Sequence, residues 1–186
     1  MSSLADYARI PIAFEVRSVL DVASHSGGRG GFTLSERALD APYTKDYDAV
    51  DDDAPARWSR RFDLTTWGLL IARLDGRRVG GAAISIDALG SLTEGRDRVA
   101  TLRDIRVSVA ARKSGVGSAL FGATEGWAIA KGCRTLEIET QNINVPACRF
   151  YAKHGCALAS IDRCAYPTLP REIQLIWRKD LCEFHN

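Results

Sequence analysis

A strand, a glycine turn, a helix and a second strand follow one another between Thr101 and Thr140, and no other stretch constrains the fold as much. The run from Thr101 to Val109 is strand-like. The loop Ala110-Ala111-Arg112-Lys113-Ser114 then leads through Gly115-Val116-Gly117 into a segment with apolar residues at Val116, Leu120, Ala123, Trp127 and Ala130. Spacings of three and four are the helix period, so a helix is predicted there. Gly132 stops it, and Thr135-Leu136-Glu137-Ile138-Glu139-Thr140 reads as the next strand. A strand–helix–strand crossover makes the two strands parallel. The helix N-terminus presents unpaired backbone N–H groups and the positive end of a macrodipole. Gly115 and Gly117 have no Cβ, so a diphosphate can approach those groups closely.

Three phosphate-binding arrangements use such a cradle. A dinucleotide turn needs a third glycine where this chain has Leu120, although Glu137 lies at the downstream distance of a ribose contact. That turn also normally follows the first strand of its domain, and this one comes late. A Walker-type loop closes on Gly-Lys-Ser/Thr, whereas Gly117 is followed by Ser118-Ala119. What fits is Arg112-x-x-Gly115-x-Gly117 directly after a strand. This resembles the acyl-CoA pyrophosphate loop of the GCN5-related N-acetyltransferase (GNAT) superfamily.

The chain has 186 residues, the length of a single domain, so one domain over 1–186 is expected. A formal net charge of +2 implies no general attraction to nucleic acid or membrane. No apolar run reaches the ~20 residues of a membrane helix, and the first dozen residues lack a basic-then-apolar signal pattern. Cytoplasmic location is the expectation. The cysteines, Cys133, Cys148, Cys156, Cys164 and Cys182, are odd in number and include no Cys-x-x-Cys pair. They are expected to be small buried hydrophobes rather than zinc ligands or a disulfide framework. His25, His154 and His185 form no ligand cluster, so no metal is expected.

Ile10 to Val22 fits a strand, or a strand running into a helix. Ser24 to Gly31 is a glycine-rich loop, Phe32-Thr33-Leu34 a short strand and Pro42 to Tyr47 an ordered turn. The acidic run Asp46, Asp48, Asp51, Asp52 and Asp53 reads as a solvated segment able to attract a polycation. Pro55 to Phe62 suits a short helix. Thr66 to Leu74 and Arg78 to Ala88 flank Asp75-Gly76, a hairpin signal, and Gly80-Gly81 marks a bulge or the close approach of another backbone. Pro146 to His154 is a helix with Asn144 as cap, ending at Gly155. Cys156 to Arg163 and Ile173 to Arg178 are the last strands.

A second motif reinforces the resemblance. Asn144-x-x-Ala147-x-x-x-Tyr151-x-x-x-Gly155 follows the parallel strand and is similar to the later motif of the same superfamily. Leu136 to Cys148, Phe150 to Lys153, Ile161-Asp162 before Tyr166, Gly31-Phe32-x-Leu34 and Pro42-Tyr43-x-Lys45-Asp46-Tyr47 all resemble the streptothricin acetyltransferases. Two features depart from that pattern: Ser85 to Arg98 lacks a Ser-x-Trp-Asn segment, and Cys156 stands for the usual phenylalanine.

The resemblance implies an α+β fold, an antiparallel meander with a splayed parallel strand pair at its centre. It implies acetyl-CoA as co-substrate and a small polycationic amine as partner, with streptothricin at its β-lysine amine first. Pantetheine amides would pair with the backbone of Ile105, Arg106 and Val107. The diphosphate would sit on residues Arg112, Lys113, Ser114, Gly115, Val116, Gly117 and Ser118, with Asn144 and Ala147 as further cofactor contacts. An amine reacts only as its free base, so a carboxylate must take its proton; Asp104 and Glu139 are the candidates. Tyr151 would protonate the leaving thiolate, and a main-chain N–H near Val107 would hold the oxyanion. Tyr43, Tyr47, Trp67 and Tyr166 are candidate acceptor-site aromatics. A homodimer fits the superfamily. Other polyamines, aminoglycosides or protein lysines as acceptors, a silent acyl-CoA sensor and a nucleotide-binding oxidoreductase are the competing readings.

Overall fold

The structure, a computed structural model, describes residues 4–26, 29–49, 54–86 and 98–182. In chain order the elements are α1 (Leu4–Tyr7), β1 (Phe14–Ser24), β2 (Phe32–Lys45), α2 (Trp58–Arg61), β3 (Gly68–Leu74), β4 (Arg77–Ile86), β5 (Arg98–Val107), α3 (Val116–Ala130), β6 (Cys133–Gln141), α4 (Val145–Lys153), β7 (Ala157–Asp162) and β8 (Gln174–Asp180). Strands β3 to β8 form a sheet of order β3-β4-β5-β6-β8-β7, and β1 pairs with β2. β3, β4 and β5 are antiparallel neighbours, and β5 runs parallel to β6. This is the expected α+β architecture. The chain divides into two compact units: Met1–Ala13 with Asp46–Ile138 and Arg178–Asn186, and Phe14–Lys45 with Glu139–Trp177. Residues 27–28 of the glycine loop, 51–53 of the acidic run and 87–97 of the departing segment lie outside the described residues.

In the first unit the β3–β4 turn has Asp75 at φ 48° and Gly76 at φ 76°, the two left-handed residues a tight hairpin demands. The paired glycines of β4 admit neighbours on both faces. A Cβ on Gly80 would stand 2.9 Å from the Arg106 carbonyl oxygen and 3.1 Å from Leu120 of α3. One on Gly81 would meet the Tyr7 ring at 2.6 Å and the Leu70 carbonyl at 2.7 Å. Leu120, Phe121, Thr124 and Ala128 make the buried side of α3. Tyr7, Trp58 and Ala83 form a second buried cluster, joined by Leu4, Leu64, Trp67, Leu69 and Ile71.

Two features of β5 shape the middle of the sheet. Its pairing with β4 steps from Ala83↔Asp104 to Ile84↔Leu102, so Arg103 is a bulged residue. Its pairing with β6 runs from Arg98↔Cys133 to Leu102↔Ile138, whereas its pairing with β4 continues to Gly80↔Val107. Among the described residues, β5 therefore has a β4 partner but no β6 partner beyond Leu102, which is the expected splay of the parallel pair.

In the second unit β2 is longer than the sequence suggests. The expected turn from Pro42 is strand as far as Lys45, with Tyr43, Thr44 and Lys45 opposite Val16, Glu15 and Phe14. Between Val16↔Tyr43 and Ser18↔Ala38, Arg17 faces four residues, 39–42. Pro42 sits in this irregularity, where a missing N–H breaks no ladder bond. Val16, Val19 and Ile143 form the local core with Phe14 and Leu39. Asn142, in the turn after β6, is buried and makes four bonds. Its N–H donates to the Ile173 carbonyl at 3.0 Å and its Oδ1 accepts from the Ile173 N–H at 2.8 Å. On its other side its carbonyl accepts from Leu20 N–H at 2.9 Å and its Nδ2 donates to the Leu20 carbonyl at 3.1 Å. α4 begins as expected: the Asn144 side chain accepts from the Ala147 N–H at 3.2 Å.

All five cysteines are free thiols. Cys133, Cys148 and Cys156 are buried as expected, but Cys164 and Cys182 are exposed. Both lie in turns just past strand ends, where no core reaches them; Arg134 Nε donates to the Cys182 sulfur at 2.9 Å. Among the described residues, no helix is long and apolar enough to cross a membrane.

Candidate active site

The glycine turn expected to cradle a diphosphate is a loop entering a 15-residue helix. Lys113 (φ 64°) and Gly115 (φ 89°) take left-handed conformations, and Gly115 is the N-cap of α3. No side chain caps that helix and its first turn carries no acid. A Cβ on Gly115 would meet nothing within 4 Å. The approach to the N–H groups at 116–118 is thus open, and the dipole there favours an anion. The residues present fit a diphosphate.

Arg112 is not aimed at that cradle. Its Nε donates to the Val107 carbonyl at 3.1 Å and its Nη2 to the Ala13 carbonyl at 3.1 Å, so it ties the loop to the end of β5. Ser114 Oγ donates to the Ala111 carbonyl at 2.7 Å and closes the preceding turn. Lys113 is exposed on the same loop.

The Arg106 side chain also turns away from any ligand on β5. It is 1% exposed and uses all five N–H donors. Nε meets Asp104 Oδ1 at 2.8 Å, and Nη2 meets Asp104 Oδ2 at 2.6 Å and Asp48 Oδ1 at 3.0 Å. Nη1 meets Asp48 Oδ2 at 2.8 Å and the Ile10 carbonyl at 3.0 Å. The Tyr7 hydroxyl donates to Asp104 as well, and its ring lies 5.1 Å from the Arg106 guanidinium carbon. Burial opposes the charge on Arg106, yet the bonds and charge of Asp104, then the bonds of Asp48, raise its pKa above the ordinary arginine value. Burial first and the Asp104 charge next raise the Tyr7 phenol, which stays a donor. Asp104, a candidate base, is therefore engaged by a buried cation. At Arg106 itself only the backbone remains for a ligand.

Glu139, in the second unit, has different company. Its Oε1 accepts from the Tyr166 hydroxyl at 2.5 Å and its Oε2 from Gln174 Nε2 at 2.9 Å. Gln141 Nε2 donates to the Tyr166 oxygen at 3.0 Å. Burial, then the bond to Glu139, raise the Tyr166 phenol above its ordinary pKa. Glu139 itself is exposed. Tyr151 is buried on α4, edge-on to Phe150 with ring centroids 5.3 Å apart.

The remaining aromatics are dispersed. Tyr43 is exposed on β2, its phenol raised by partial burial and by the Glu172 charge. Lys45 and Glu172 form a largely buried pair at 2.5 Å in the same unit. Tyr47 is half-buried in the first unit. Trp67 packs into the hydrophobic cluster 5.4 Å from both Trp58 and Phe62, with Arg103 5.9 Å over its ring. Sequence reasoning missed Tyr7, Gln141 and Gln174, and read Asp48 only as part of a solvated acidic run. A hint lay in Arg103-Asp104-Ile105-Arg106, a strand with more charge than a central position tolerates unpaired. Among the described residues, no group of three His, Cys, Asp or Glu side chains could hold a metal ion.

Comparison with known proteins adds the chemistry. Residues 34–156 match the model of the Acetyltransferase (GNAT) family. The streptothricin acetyltransferase of Escherichia coli is 34% identical over 167 residues, covering 88% of this chain and 83% of that protein. A crystal structure of nourseothricin acetyltransferase is similar at TM-score 0.72 and 26% identity, over 92% of this chain and 89% of that one. A Bacillus anthracis protein solved in complex with acetyl coenzyme A has the same fold, with TM-score 0.74 and 23% identity over 95% of this chain and 93% of that one.

Proposed function

This chain belongs to the GNAT family of acetyltransferases and uses acetyl-CoA, and from that premise we propose that it acetylates streptothricin at its β-lysine amine and so confers resistance. The observation that supports this substrate most strongly is the likeness to the Escherichia coli streptothricin acetyltransferase along nearly the whole chain. In this reading residues 1–186 act as one catalytic domain in the cytoplasm, as a homodimer.

The backbone N–H groups of residues 113–118 would hold the diphosphate, and the β6 side of Ile105, Arg106 and Val107 would take the pantetheine amides. Asn144 and Ala147 are further cofactor contacts. Acetyl-CoA supplies an activated acyl thioester. Glu139 is preferred to Asp104 as the proton acceptor, because a proton on Asp104 would break a buried ion pair with Arg106. As the amine nitrogen forms its bond to the acyl carbon and the carbon–sulfur bond breaks, Glu139 takes a proton from nitrogen and Tyr151 gives one to sulfur. A main-chain N–H near Val107 steadies the oxyanion.

Expression in a streptothricin-sensitive bacterium tests the reading. Growth at concentrations that stop the control strain is expected with this chain and not with Tyr151→Phe. Equal sensitivity of cells with and without the expressed chain would refute it.

A further inference from the structure

Carboxylates of the second unit mostly face cations. Glu15 meets Arg17, Asp21 meets Arg37, Glu36 meets Arg149 and Glu172 meets Lys45. Glu139 does not. Among the described residues its two oxygens are met only by neutral donors, the Tyr166 hydroxyl and the Gln174 amide. Because the Tyr166 oxygen already accepts from Gln141, its single proton has to point at Glu139. Three side chains therefore fix the direction of this carboxylate, and none of them brings it a positive charge.

A carboxylate offers about four lone-pair positions, and the two donors fill two. What remains is an exposed, oriented carboxylate with open lone pairs, complementary to a group with several N–H donors and one positive charge. We propose that Glu139, Tyr166, Gln141 and Gln174 form a subsite for a primary alkylammonium group of the acceptor, with Tyr166 as its positioning residue. This rests on the reading of Glu139 as the proton acceptor.

The neutral cradle matters for turnover. An arginine in place of Tyr166 would hold the carboxylate equally well but would quench the charge that attracts an ammonium. Acetylation turns the ammonium into an uncharged amide, which removes the charge pairing and favours release of product. The subsite therefore selects cationic amines over amides and over already acetylated acceptors.

Calorimetric titration with streptothricin and with spermidine, on the wild type, Glu139→Gln and Tyr166→Phe, tests this directly. Loss of a hydrogen bond to a charged group predicts that Tyr166→Phe weakens acceptor binding by about tenfold, and Glu139→Gln by more. Acetyl-CoA affinity should stay within about twofold in both, since the proposed cofactor contacts are elsewhere. In steady-state assays Tyr166→Phe should raise the acceptor KM and leave the acetyl-CoA KM alone, a split that general damage to the fold does not produce. Unchanged acceptor binding in both variants, or equal losses for acceptor and acetyl-CoA, would overturn the subsite. So would a wild type that binds neither polycation. A wild type that binds streptothricin without acetylating it would instead refute the proposed function, and the binding comparison would still judge the subsite.

Discussion

Replacing Arg106 by methionine tests the buried charge cluster of the first unit. Methionine keeps an unbranched apolar stem, so the packing beside Tyr7 changes little. The substitution removes five hydrogen bonds, four of them to carboxylates. It leaves Asp104 and Asp48, whose side chains are 6% and 22% exposed, without their shared cation. Removing one partner of a buried pair costs about 3–5 kcal/mol. The residual solvation of Asp48 places the expectation near the lower end, about 3 kcal/mol. For a chain of this length each kcal/mol moves Tm by about 2–4 °C, so a fall of about 6–12 °C is expected. Urea unfolding followed by tryptophan fluorescence is a suitable assay, because Trp58 and Trp67 pack in the adjoining cluster. Adding Asp48→Asn and Asp104→Asn to Arg106→Met should recover much of the loss by removing the unpaired charges. A loss below about 1 kcal/mol, the range of surface pairs, would refute the claim that this cluster is buried and mutually dependent.

Gly115→Ala places an L-residue at φ 89°, a strain of about 1–2 kcal/mol; the acetyl-CoA KM should rise while the acceptor KM holds, and an unchanged acetyl-CoA KM would remove the loop from cofactor binding. Burial raises the Cys133 and Cys148 thiols, so iodoacetamide followed by peptide mapping should label Cys164 and Cys182 in the folded protein and the three buried cysteines only after denaturation. The Tyr7 phenol is raised by burial and then by Asp104. Its stabilising contribution is therefore complete below the ordinary tyrosine value of about 10 and is lost as pH climbs above it, where the unfolded chain ionises first. Urea melts should show the wild type losing stability more steeply than Tyr7→Phe above about pH 10; parallel slopes would contradict the assignment.

The elements that the sequence reveals are those with local chemistry. The predicted helix over 116–130 has the observed bounds of α3, because its apolar period and the flanking glycines are all nearby in the chain. The Asp75-Gly76 hairpin and the Asn144 cap follow for the same reason. β2 was harder to read, because Pro42 signals a turn unless a long bulge opposite Arg17 absorbs it.

At the candidate site the backbone was legible and the side chains less so. Glycines announce an open helix N-terminus, but nothing local says that Arg112 bonds carbonyls of Val107 and Ala13 instead. Asp48 looks solvated among its acidic neighbours, yet its partner Arg106 lies 58 positions along the chain. Tyr166 could be marked as an aromatic near the acceptor, whereas its bond to Glu139, 27 positions away, needed the fold.

Mass spectrometry of streptothricin incubated with acetyl-CoA and the purified protein tests the central claim most directly. A time-dependent gain of one acetyl group at the β-lysine amine is expected, lost with Tyr151→Phe although acetyl-CoA still binds. Streptothricin recovered at its original mass, from a wild type that binds acetyl-CoA, would contradict it.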